Sequence, residues 1–122
     1  MTSRPEELRE RTKQFALRVL RMTRVLPRTE EAFVIRRQIL RSAFSVAANY
    51  GAVCRARSPA DFAAKMALVL EEADESNFWL EMQVAAGIVK NERLRPLSCE
   101  AEELVRIFSS SLQTARRNHR KK

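Results

Sequence analysis

Apolar side chains recur along most of the chain at alternating spacings of four and three, the period of a helix that buries one face. In the first such segment Leu8, Thr12, Phe15, Val19, Met22 and Leu26 form the seam. The segment opens at Ser3-Arg4-Pro5-Glu6-Glu7: a candidate N-cap, a proline suited to a first turn, and acids that complement the helix dipole. Pro27 is expected to end it. A second helix is expected from Thr29-Glu30-Glu31 to about Arg57, with a seam of Ile35, Ile39, Ser42, Val46, Asn49 and Val53. The third has a strong start in Ser58-Pro59-Ala60-Asp61, a capping box with proline at the first helical position. Its seam runs through Phe62, Met66, Val69, Ala73, Ser76, Leu80 and Gln83, and Gly87 or Asn91 is expected to mark its end. The fourth is expected from around Ser98, after Pro96, carrying Ala101, Leu104, Phe108, Ser111 and Ala115 before fading into a basic tail over 116–122. Four helices with short connections give an all-α fold, an antiparallel up-down four-helix bundle spanning 1–115.

Helices two and three carry more apolar surface than one seam uses. At 100° per residue, Phe33, Leu40, Phe44, Ala47 and Gly51 fall opposite the Ile35–Val53 seam. The third helix has a second stripe of Leu68, Trp79, Met82 and Ala86. A lone bundle would expose these residues as a patch. Trp79 reads as packed within the subunit, whereas the Phe33–Phe44 stripe reads as an interface between copies, its small residues Ala47, Ala48 and Gly51 admitting another backbone closely. Polar seam positions add to the picture. Ser42, Asn49, Ser76 and Gln83 stand where a generic bundle has Leu or Ile, and together are expected to form an interhelical network that fixes register. Arg41 and Glu72 are a related candidate pair on the flanks of adjacent seams.

Composition narrows the class. A length of 122 residues fits one domain, and two Gly and four Pro are too few for the turns of an all-β fold. Apolar residues make up 45% and charged residues 31%, too apolar for a disordered chain and too charged for a membrane protein. No run of 18 apolar residues occurs, and MTSRPEELRERTK lacks the apolar stretch of a signal peptide. Cys54 and Cys99 make neither a ligand spacing nor a disulfide framework, which points to a reducing, cytoplasmic setting.

No catalytic constellation emerges. His119 is the single histidine and lies in the basic tail, where it reads as a solvated side chain. Cys54 reads as an inert core residue despite Arg55 and Arg57 beside it. The run Glu71-Glu72-Ala73-Asp74-Glu75 lacks the histidines that a di-metal bundle needs, and reads as a solvated or Arg-paired face. No glycine-rich phosphate loop exists. The expectation is a protein without an enzymatic site, cofactor or metal.

Charge is the remaining functional clue. The net charge is +8, with 23 Lys and Arg against 15 Asp and Glu. Residues 1–60 carry +8, residues 61–110 carry −5, and the last twelve carry +5. Most of the cations are Arg, whose planar fork suits phosphate. Arg11, Arg18 and Arg21 share one flank of the first helix, and Arg37, Arg41 and Arg55 fall within about 40° on the second. With Arg116, Arg117 and Arg120 of the tail they compose a candidate footprint for an RNA or DNA backbone. No aromatic is clearly placed to stack bases, so binding is expected to discriminate sequence weakly. The alternative is a scaffold that docks an acidic protein partner.

Three stretches carry a family resemblance: Arg41-Ser42-Ala43-Phe44-Ser45-Val46-Ala47-Ala48-Asn49-Tyr50; Arg57-Ser58 followed by Asp61-Phe62 and Lys65; and Glu72-Ala73, Glu75-Ser76 and Trp79-Leu80. Together with Arg11-Thr12 and Phe15-Ala16, they resemble the bacterial four-helix bundle proteins encoded by 23S rRNA intervening sequences. The accessory variability proteins of diversity-generating retroelements belong to the same broad group. The resemblance implies a small basic bundle assembled as a ring-like homopentamer. In the retroelement branch it also implies nucleic acid and a reverse transcriptase as partners. Members often carry a Glu soon after the Asn-hydrophobic pair, where this chain has Gly51-Ala52-Val53.

Overall fold

Local signals set the helix starts. In the computed structural model, which describes residues 4–120, α1 spans Arg4–Thr23, α2 Glu30–Val53, α3 Pro59–Ala85 and α4 Asn91–Arg120. The candidate cap Ser3 lies outside the described residues. Thr29, with extended backbone, accepts a hydrogen bond from the Ala32 N–H at 3.2 Å and so caps α2. Ser58 accepts from the Asp61 N–H at 3.0 Å, and Asp61 in turn accepts from the Arg57 N–H at 3.1 Å. The expected capping box is present, with the reciprocal bond reaching one residue further back. Lys65 donates to the same carboxylate at 2.7 Å, and these contacts, the lysine foremost, hold the Asp61 carboxyl below its usual range.

The helix ends depart from expectation. α1 stops at Thr23, four residues before Pro27, and α2 at Val53 rather than Arg57. α3 closes in a Schellman motif. Gly87 takes φ 73°, its N–H reaches the Val84 carbonyl at 3.0 Å, and the Ile88 N–H reaches the Gln83 carbonyl at 2.9 Å. The largest correction concerns α4, which begins at Asn91 and includes Pro96. Proline there forfeits the bond to the Glu92 carbonyl, but both residues are exposed, so the loss falls where solvent has access. Burial of Leu94 and Leu97 supplies the packing that holds the extra turns. At the other end α4 does not fade after Ala115 but stays helical to Arg120, so most of the expected tail is a helix face.

Antiparallel packing is visible in which residues meet. Arg9 of α1 lies by Gly51 of α2, while Arg36 donates to the Thr23 and Leu26 carbonyls at 3.2 and 3.3 Å. Ser42 of α2 meets Ser76 of α3, and Arg11 of α1 meets Glu100 of α4. α2 packs tightly on α3 and α3 on α4, whereas α1 leans on α2 and touches α4 sparingly. The seams are the core: Phe15, Val19, Ile39, Val46, Val69, Leu80, Leu104 and Phe108 are all fully or almost fully buried. Tyr50 packs on Phe108 at 5.7 Å between ring centroids.

The polar network is smaller than expected. Ser76 Oγ lies 2.9 Å from Ser42 Oγ and 2.9 Å from the Glu72 carbonyl, and Ser42 Oγ lies 3.3 Å from the Ile39 carbonyl. The two hydroxyls have one proton each, so a single hydrogen bond joins α2 to α3 in the buried core. The other proton serves a carbonyl of its own helix, and the one interhelical bond favours one register. Asn49 is only half-buried and Gln83 bonds within its own helix, to the Trp79 carbonyl at 3.4 Å.

Candidate nucleic-acid interface

The nine arginines singled out from the sequence do not form one surface. Two of them are committed to acids. Arg11 makes a two-pronged bond to Glu100, at 2.8 and 2.7 Å, and reaches Glu103 at 3.0 Å. That carboxylate fork drives its pKa still further above the usual arginine value. Arg41 holds Glu72 at 3.2 Å and also bonds Glu75, so the Arg41–Glu72 pair stands and the acidic run of α3 is partly neutralised from α2. Both arginines act as ties between helices rather than as open phosphate ligands. The pairs span 89 and 31 residues, so no local sequence signal could reveal Arg11's partner.

The other seven separate by position along the bundle. Arg18, Arg21 and Arg37 lie toward the end where α1 finishes and α2 begins; Arg55, Arg116, Arg117 and Arg120 lie at the opposite end. Arg24, Arg28, Lys90 and Arg93 join the first group; Arg4, Arg9 and Arg57 join the second. Between them runs an acidic belt of Glu71, Glu72, Asp74 and Glu75 on α3 and Glu100, Glu102 and Glu103 on α4. Each end also carries acids, Glu30, Glu31, Glu81 and Glu92 at the first and Glu6, Glu7, Glu10 and Asp61 at the second. The cations outnumber them there, whereas acids prevail at the waist. Arg18 and Arg55 are separated by about thirteen residues of helical rise, roughly 20 Å.

The expected interface stripe also sorts itself. Phe33 and Phe44 are 51% and 42% exposed, Leu40 and Ala47 are half-buried, and Gly51 is buried. A Cβ on Gly51 would meet Arg55 Nη1 at 3.6 Å and Arg9 Nε at 3.9 Å, so guanidinium groups of this subunit cover it. Gly51 is therefore not presented to another backbone, which corrects its place in the stripe. On α3, Leu68, Phe78 and Met82 are also exposed, with the Arg41 ties to Glu72 and Glu75 bridging α2 and α3. Sequence reasoning missed Phe78, which packs edge-on to a half-buried Trp79 at 4.9 Å. Arg36 lies 4.9 Å above the Phe33 ring.

Cys54, expected in the core, is exposed at the C-cap of α2, as is Cys99 on α4. His119 is exposed and lines a surface cavity. Among the described residues no three His, Cys, Asp or Glu side chains converge as a metal site requires, and no helix is long and apolar enough to cross a membrane.

Fold and charge define a class: a basic, antiparallel four-helix bundle with exposed apolar side chains on its second and third helices. A sequence model of the 23S rRNA-intervening sequence protein family matches residues 6–110, and the chain belongs to that family. Among solved structures it is similar to a protein of unknown function from the S23 ribosomal protein family of Bacteroides thetaiotaomicron. The two share 27% sequence identity with a TM-score of 0.82 over 91% of this chain and 99% of that one. No curated protein sequence matches the chain.

Proposed function

We propose that this protein acts by binding rather than by catalysis, as a homo-oligomeric bundle that grips the backbone of RNA or DNA through its basic ends. The observation that carries this reading is the concentration of cations at the two ends, while Arg11 and Arg41 are spent on the acidic belt. Self-association runs through the exposed apolar side chains of α2 and α3. Copies joined there in a ring, the homopentamer that the resemblance implies, array their basic ends side by side, and many weak phosphate contacts then act together. A role as accessory to an RNA or reverse-transcriptase process fits such a module.

Binding to short RNA and DNA across a salt series tests it. Affinity is expected to fall with a log–log slope of about −0.7 to −0.9 per phosphate contacted. Charge reversal at Arg116, Arg117 and Arg120, or at Arg18, Arg21 and Arg37, is expected to flatten the slope. Arg41→Gln is expected to leave it unchanged, because that cation is already paired. No salt-sensitive binding to either nucleic acid at about 50 mM salt overturns the reading and favours an acidic protein as the partner of the same cations.

A further inference from the structure

One end of the bundle holds a groove that the backbone-binding reading does not use. Arg11 sits level with Glu100 and Glu103, and the helices run antiparallel, so Arg4 sits level with the stretch just before Ser111. From there α4 continues to Arg120, about 15 Å further, along the first turns of α3. Two adjoining cavities of about 600 and 610 Å³ open in this corner and share Arg4, Pro59, Phe62 and Ser111. Both are open clefts, each with room for a group the size of a nucleotide base.

The lining is chemically divided. The floor of one cavity is apolar, with Leu8, Tyr50, Val53 and Met66. Phe62, half-buried, stands between the two cavities and belongs to both. The α4 wall is a ladder of small polar groups, Ser110, Ser111, Thr114 and Asn118. Arg4 and Arg57 are the arginines of the lining, and among the described residues no Asp or Glu lines either cavity, although the Asp61 carboxylate beside Arg57 accepts from its backbone N–H. We propose that this groove receives one unpaired nucleotide of a single strand, its base against Phe62, its edge toward the α4 hydroxyls and its phosphate on Arg4 and Arg57. The inference rests on the nucleic-acid reading and deepens it by naming the strand form preferred.

Charge complementarity sets the anionic end of the ligand. The hydroxyl ladder sets the other end. An acyl chain would make no use of that polar wall, whereas a base edge offers it both donors and acceptors. An aromatic face is sequence-tolerant, since every base has a π-face. A base inside a duplex is stacked and paired, so it cannot enter.

The test uses the full chain and two probes of one sequence at low salt: a short single strand bearing 2-aminopurine, whose emission reports stacking, and its duplex. Wild type is expected to bind the single strand more tightly and to change the emission of the unpaired base. Phe62→Ala is expected to abolish that change and weaken single-strand binding about tenfold, leaving duplex affinity within twofold. Because Phe62 also packs against the core, a second variant, Ser110→Leu with Thr114→Leu, fills the groove from α4 without altering charge and is expected to act alike. Equal affinity for both probes, or an emission change that survives in the groove-filled variant, overturns the inference while the backbone reading stands. Binding of neither probe overturns both.

Discussion

Tyr50 shows how one side chain can report on its surroundings. It is the only tyrosine, it is buried against Phe108, and it lines the end groove. Burial, reinforced by the nearby Cys54 and opposed by Arg4, pushes its phenol up to about 12. In the unfolded chain the same group ionises near 10. The folded form therefore holds its proton where the unfolded form has lost it, and stability falls as pH rises from about 10 to about 12. The loss is on the order of 2 kcal/mol. An absorbance titration is expected to show a single late phenolate transition, with the thermal midpoint dropping across the same window. A transition at 10 in the folded protein would contradict the packing described.

At the scale of elements, helix starts were legible and helix ends were not. Thr29 and Ser58 were readable because a cap is a contact between neighbours in sequence. Ser98 was the wrong start for α4 because Pro96 is locally disruptive, and only burial of Leu94 and Leu97 outweighs it. The two glycines separate local strain from tertiary space. Gly87 has positive φ and open space where a Cβ would stand, so Gly87→Ala is expected to cost about 1 kcal/mol through backbone strain alone. Gly51 lies inside α2 with room at ordinary contact distance, so Gly51→Ala is expected to stabilise by about 0.5–1 kcal/mol. Urea denaturation midpoints moving in opposite directions would confirm both; a loss for Gly51→Ala would mean that its guanidinium cover is less accommodating than the geometry implies.

For the whole molecule, the exposed apolar side chains matter most. Phe33 and Phe44 lie exposed on α2, and large apolar side chains left open to water mark a candidate contact with another copy. Sedimentation is expected to find an oligomer for wild type and a folded monomer for Phe44→Asp, since a carboxylate in that contact cannot be desolvated without a partner. A monomeric wild type removes the interface.

Periodicity, caps and composition determined by themselves that this chain makes four helices, which faces turn inward, and that Arg41 and Glu72 lie near one another. These depend on spacing along one helix or on matching neighbouring seams, and spacing is written in the sequence. Tertiary structure alone decided that Arg11 is bound by Glu100, that Gly51 is roofed by Arg9 and Arg55, and that the cations separate into two ends. The reason is physical. A charge becomes a tie or a free ligand according to what lies within a few ångströms of it, and antiparallel packing brings together residues that the chain keeps far apart.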